Sequence, residues 1–233
     1  MKRSLDIDMS IQPNDYTCGP TCLHSIYSYY GEEITVDEVI RGVKTLDDGG
    51  AIASHLAIHA LNKGYKAVIY SYNMQVFDPT WKDLPPEKMI QKLIAQRAAK
   101  DDPKLSFATD AYLEFLALGG VIRFRDLTPS LIRKYVKRQI PILTGLSSTY
   151  LYQVARERRE DNADDDIKGY PSGHFVIIHG YNTARTTVMV ADPFRNNPAY
   201  MGQHYEVSLY RLVCAIMLGI VTYDSNLLII EPE

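Results

Sequence analysis

Three apolar runs in the later part of the chain decide its fold class. Ile140-Pro-Ile-Leu-Thr-Gly145, His174-Phe-Val-Ile-Ile-His-Gly-Tyr181 and Thr186-Thr-Val-Met-Val-Ala191 are short, rich in β-branched residues and bounded by turn formers, which marks strands rather than helices. Read together they make one antiparallel sheet, with the second and third runs as its hairpin. Most of the sequence before them carries helical spacing, so N-terminal helices packed against a C-terminal antiparallel sheet, an α+β chain, is the architecture to expect. A last helix over 209–218 and a last strand over 227–230 complete the pattern.

The helices are marked by their ends. Thr17 is the expected N-cap of a first helix whose residues Leu23, Ile26, Tyr27 and Tyr30 recur at helical spacing until Gly31. Thr35-Val-Asp-Glu38 is a capping box opening a second helix to about Val43, and Asp47-Asp-Gly-Gly50 breaks it. A third helix runs over 51–63 and stops at Gly64, and residues 65–72 alternate like a strand. Two further helices, over 87–100 and 106–118, lie between Leu84-Pro-Pro86 and Gly119-Gly120 and read as a helical insertion at about 85–119. A short strand over 121–124 and a helix opened by Thr128-Pro129 lead into the strand runs. Residues 147–173 hold a polar run too long for a hairpin loop, expected as a solvated loop or a lid bordering a cleft.

At 233 residues and 46% hydrophobic content, residues 1–233 are expected to fold as a single domain. The net charge of −3 comes from 25 basic and 28 acidic residues mixed along the chain, which argues against nucleic-acid or membrane partners. The N-terminus lacks an apolar signal core, and the longest apolar run, 212–223, falls short of the ~20 residues that span a bilayer. A cytoplasmic protein is expected. Three cysteines make no disulfide framework, which suits a reducing compartment.

The chemistry gathers around Gln12-Pro-Asn-Asp-Tyr-Thr-Cys18-Gly-Pro-Thr-Cys22, a loop that delivers Cys18 to the first turn of a helix. There the unpaired backbone N–H groups and the positive end of the macrodipole favour a thiolate, the nucleophilic form of cysteine. His174 opens one strand of the hairpin and Asp192 closes the next, so the two ends meet, and the carboxylate can hold one ring nitrogen while the other faces outward. A Cys–His pair oriented by a carboxylate is the arrangement for thiolate attack on an acyl carbon. Gln12 supplies a side-chain amide to join the backbone N–H of Cys18 in holding an oxyanion. The other candidates read as structural. Cys22 lies a turn inside the helix, Cys214 lies in an apolar run and is expected in the core, and His179, five residues after His174, is expected on the opposite face of a strictly alternating strand, at its far end from Asp192. His55 and His59, at i and i+4, have a metal-ligand spacing but no general base between them and no third ligand. Asp15 is expected to hold the turn before Thr17. The pattern calls for no cofactor and no metal.

Gln12 through Cys22, followed far downstream by His174-Phe-Val-Ile-Ile and Ala191-Asp192-Pro193, resembles the C39-like branch of the papain-like cysteine peptidases. The resemblance implies a papain-like fold, Cys18 as nucleophile, His174 as base and acid, Asp192 as orienter and Gln12 in the oxyanion hole. It implies a cysteine-dependent hydrolase that cleaves a peptide or other amide bond through a thioester acyl-enzyme. The same site would serve an acyltransferase or transpeptidase if water were excluded, and a papain-like binding module without activity is the third reading. Peptidase domains of this kind that mature double-glycine leaders are usually fused to a membrane transporter, and no membrane segment is seen in this chain. By position, Gly49 and Gly50 are candidates for a substrate-binding wall of the cleft, a plain interhelical turn being the alternative.

Overall fold

The computed structural model describes residues 1–46 and 50–233. The first half of the chain lays down strand β1 (Lys2–Ser4), helices α1 (Cys18–Tyr29), α2 (Val36–Gly42) and α3 (Ala53–Asn62), strand β2 (Lys66–Ser71), helices α4 (Pro86–Ala99) and α5 (Pro103–Ala117) and strand β3 (Val121–Arg123). The second half adds α6 (Pro129–Lys137), β4 (Ile142–Ser147), α7 (Ser148–Tyr152), β5 (Gly173–Asn182), β6 (Thr187–Ala191), β7 (His204–Ser208), α8 (Leu209–Leu218) and β8 (Asn226–Glu231). No helix among the described residues is long and apolar enough to cross a membrane.

Local chemistry explains most of the boundaries. The Thr35 capping box forms in full, with Glu38 N donating to Thr35 Oγ1 and Thr35 N donating to the Glu38 carboxylate. Asp102 caps α5 by accepting from Lys104 N and Leu105 N, so with Pro103 at the first helical position the helix starts three residues before Ser106. Thr17 does not cap α1 with its side chain. Its hydroxyl instead donates to Asn14 O (3.0 Å), while Asn14 Oδ1 accepts from Tyr16 N (3.0 Å). The turn before Cys18 is therefore held by Asn14, where Asp15 was expected.

Among the described residues eight strands form one sheet, ordered β3-β2-β8-β4-β5-β6-β7, with β1 pairing β5 beyond the end of β4. The antiparallel pairing of β4 with β5 and β5 with β6 is as the apolar runs predict. The sheet also recruits β1, β2 and β3 from the helical half, and β2 with β3 is a parallel pair. β7, whose residues carry no strand signal in the sequence, pairs β6 over its whole length and carries polar residues on its outer side. Strands β4, β5 and β8 are buried almost end to end, as expected for strands covered on both faces. α1 packs on β5. Gly19 permits this, since a Cβ there would lie 3.1 Å from Leu56 Cδ1 and 3.2 Å from Phe175 Cδ2. α8 is less buried than its apolar sequence suggests, and Cys214 on it is exposed, not in the core as expected.

A second close approach lies where β4 nears the start of β5. A Cβ on Gly145 would sit 2.7 Å from Asp224 O and 2.8 Å from Asp224 Cβ, against backbone that cannot move aside. Gly145→Ala is expected to cost about 1–3 kcal/mol by overpacking, measured as a lower urea midpoint with an unchanged slope.

Candidate active site

The start of β5 and the residue after β6 meet at one edge of the sheet, and the N-terminus of α1 points at the same edge. His174 Nε2 donates to Asp192 Oδ1 at 2.9 Å, both side chains being buried. With Nε2 taken, Nδ1 is the ring nitrogen left free, and the partly buried Cys18 is, after Asp192, the electrostatic neighbour that favours the charged ring. Burial disfavours the charged ring, but the Asp192 carboxylate, then Cys18, then the bond to Asp192 outweigh it and raise the His174 pKa to about 10. Burial likewise pushes Asp192 up. The imidazolium, the His174 bond and two tyrosine hydroxyls overcome this and hold its carboxyl below the usual carboxylate range.

Those tyrosines were invisible in the sequence. Tyr152 OH and Tyr205 OH each donate to Asp192 Oδ2 at 2.7 Å, and Phe194 N donates to Oδ1 at 2.9 Å. Tyr152 ends α7, 40 residues before Asp192, and Tyr205 lies on β7, which the sequence does not mark as a strand, so no spacing rule links them.

The loop that carries Gln12 is stitched to the same corner. Gln12 N donates to Pro193 O (3.1 Å), Asp192 N donates to Gln203 O (2.8 Å), and Gln203 Nε2 donates to Met9 O and Ser10 O (both 3.0 Å). Gln12 Nε2 donates to Asn14 O (3.0 Å), and among the described residues its other N–H and its buried Oε1 have no partner. Gly50 O accepts from Leu46 N at 2.6 Å, and Gly49 lies outside the described residues.

The remaining candidates separate from this corner. Cys22 is fully buried and its thiol donates to Phe175 O (3.3 Å). Burial, then the charges of Cys18 and Asp192, push its pKa well up, which suits a packed thiol. His179 Nδ1 donates to Leu5 O (2.9 Å), next to a bulge at 178–180 that interrupts the strict alternation expected along β5. His59 pairs with Tyr27 OH (2.8 Å), and His55 packs edge-on against Phe107. The 147–173 segment begins with α7, whose Leu151 and Tyr152 are buried, and then folds on itself. Glu157 and Tyr170 exchange both backbone bonds, and Arg158 N donates to Ala163 O.

One ionisable group near His174 was not singled out in the sequence. Asp224 is buried beside Gly173, and burial, opposed by a bond from Thr222 and by the charges of Lys104 and His174, raises its pKa to about 7. From the ordinary value of 3.8 up to about 7 the unfolded chain has lost this proton while the folded chain keeps it, so stability falls as pH rises across that window. The loss is at most about 4 kcal/mol. Asp224→Asn is expected to flatten the fall in stability between pH 4 and 7, read from urea unfolding across that range. An unchanged slope would mean that the carboxyl is already ionised at pH 4.

Comparison with known families divides the chain between two models. The Peptidase C39 family matches residues 6–100, which hold Gln12 and Cys18, and the Peptidase C39 like family matches residues 108–212, which hold His174 and Asp192. A search of curated proteins gives no match. Among solved structures, one described as a C39-like peptidase from Bacillus anthracis is similar at 14% identity, covering 100% of this chain and 98% of that one, with a TM-score of 0.53. A double glycine motif protease from an AMS/PCAT transporter, solved in complex with its leader peptide, aligns at 13% identity over 99% and 95% of the two chains, TM-score 0.47. Xylellain, a cysteine protease from Xylella fastidiosa, aligns at 12% identity over 100% and 86%, TM-score 0.47.

Proposed function

Because the chain belongs to the C39-like cysteine peptidases, we propose that it cleaves peptide bonds through a thioester at Cys18, with His174, Asp192 and Gln12 as the other working residues. The observation that carries this reading is the buried His174–Asp192 bond, which turns the imidazole so that its second nitrogen serves a cysteine at a helix start. In the first step the Cys18 sulfur attacks the scissile carbonyl carbon. The S–C bond forms, the C–N bond breaks, and His174 gives its Nδ1 proton to the departing amine. In the second step a water attacks the thioester. His174 takes one of the water's protons, the S–C bond breaks with its electron pair going to sulfur, and the product leaves as a carboxylic acid that loses its proton to solvent, while thiolate and imidazolium are restored.

Both tetrahedral intermediates carry an oxyanion. The N–H of Cys18 belongs to the first helical turn and so has no intrahelical acceptor, which frees it for that charge. The unused N–H of Gln12 is the second donor, once the side chain turns from Asn14 toward the sulfur. Residues 1–233 act as one domain in this reading, the α4–α5 pair being a helical insertion. The 147–173 segment flanks the cleft as a lid, its base anchored through Tyr152 and its polar tip exposed. Gly50 belongs to the opposite wall, where a glycine backbone lets an extended peptide come close.

Cys18→Ser is expected to abolish turnover of a peptide pool, and Cys22→Ser to keep most of it at a cost in stability. Asp192→Ala is expected to slow turnover by about 10²–10⁴-fold while Cys18 can still be alkylated, and Gln12→Ala to slow it by about 10²-fold. Intact-mass measurement follows the acyl adduct on Cys18. Discharge in water marks hydrolysis, whereas an adduct that discharges only when an amine is added would replace the peptidase reading by acyl transfer.

A further inference from the structure

The Asp192 carboxylate has no unused acceptor position. Oδ1 takes the His174 ring N–H and the Phe194 backbone N–H, and Oδ2 takes the Tyr152 and Tyr205 hydroxyls, four donors for the four lone-pair positions of a carboxylate. The two oxygens are served by different parts of the fold: Oδ1 by the chemistry and the chain's own next turn, Oδ2 by α7 and β7. From the Oδ2 geometry we infer that Tyr152 and Tyr205 are positioning residues, a phenol pair that fixes the carboxylate plane so that only Oδ1 faces His174. This rests on the proposed reading of Cys18, His174 and Asp192 as the working set.

The rings are built to hold the hydroxyls still. Tyr205 is stacked on Tyr200 with centroids 4.0 Å apart and planes within 7°. Tyr152 packs at a tilt against His174 and Phe194 and edge-on against Tyr200, with centroids 6.1–6.5 Å away. Phenylalanine would fill the same space, so packing alone does not account for two hydroxyls aimed at one oxygen. A buried carboxylate left with an open lone pair would swing or take up a proton, and either would release the imidazole. The phenols themselves stay protonated, since burial and the adjacent Asp192 charge disfavour their ionisation. The groups facing Asp192 are His174 from β5, Tyr152 from α7, Tyr205 from β7 and, through charge, Cys22 from α1. Of these, His174 alone is cationic.

The clamp has a consequence in the fold as well as in the chemistry. Tyr152 is the last residue of α7, at the base of the 147–173 segment, and Gln153 turns the chain away in a left-handed conformation. Any displacement of that base therefore withdraws one of the two donors from Oδ2.

The test uses Tyr152→Phe, Tyr205→Phe, the double variant and Tyr200→Phe as a packing control that removes no bond to Asp192. Two readouts are taken on the full chain: the pH profile of kcat with the best substrate from the peptide pool, and the ring ¹⁵N signals of His174 followed from acid to neutral pH. Each single change is expected to lower kcat about tenfold with little change in KM, and to move the acidic limb, together with the acid transition in the His174 signals, up by about one pH unit. The double variant is expected to lose more than the product of the singles, and Tyr200→Phe to leave both readouts in place. Unmoved acidic limbs and His174 signals in folded single variants would overturn the inference, as would an equal shift in Tyr200→Phe. The His174 signals need no turnover, so they report on the clamp even if Cys18→Ser retains activity. That last result would defeat the proposed reaction and leave the clamp to be judged on the imidazole alone.

Discussion

A single buried hydrogen bond, His174 Nε2 to Asp192 Oδ1, organises this molecule. An ionised carboxylate with no solvent exposure is costly unless it is paired and fully hydrogen-bonded, and much of the second half of the chain supplies those partners. The β5–β6 hairpin brings the histidine and the carboxylate together, the turn after β6 gives the Phe194 N–H, and α7 and β7 give the two phenols. The imidazole is in turn fixed with one nitrogen on Asp192, which leaves the other ring nitrogen free. Helix α1 can bring that cysteine to the sheet edge because Gly19 has no side chain to hold it off Phe175 and Leu56.

Two parts of the chain, the ones matched by the two family models, meet in this centre. The first part provides the thiol, at the start of a helix reached through a loop, and that loop is then bonded to Pro193 and Gln203 of the second part. The second part provides the imidazole and the carboxylate, at the ends of neighbouring strands. The site therefore needs both parts in contact, and the bonds between residues 9–12 and the corner around Asp192 hold them there.

What the sequence revealed followed from short-range rules. Cys18 was readable because a loop and a helix start are local patterns, and His174 with Asp192 because strand ends in a hairpin must meet. The α+β class followed from the strand runs. Tyr152, Tyr205 and Asp224 escaped because each acquires its meaning only from tertiary neighbours, and tyrosines are common in this chain at 17 of 233 residues. β7 escaped because His204-Tyr-Glu-Val-Ser208 is polar enough to resemble a loop, and it forms by pairing with β6. Asn14 and Asp15 stand side by side and both favour turns, so which one holds the turn was not decided by residue type. Cys214 was misjudged because an apolar run was equated with burial, whereas one side of α8 faces out.

The central claim is that Cys18, paired with an imidazole held by Asp192, is the reactive thiol of three. The most direct measurement is the site of alkylation by limiting iodoacetamide at mildly acidic pH, mapped by peptide mass spectrometry on the folded chain. Isolated thiols react slowly there because the thiolate is the nucleophile and an ordinary cysteine is protonated. Exposed Cys214 is the internal control for access and buried Cys22 the control for position in the helix. Label on Cys18 well ahead of Cys214, and none on Cys22, is the expected result. Label on Cys214 first, or on Cys22, would contradict it.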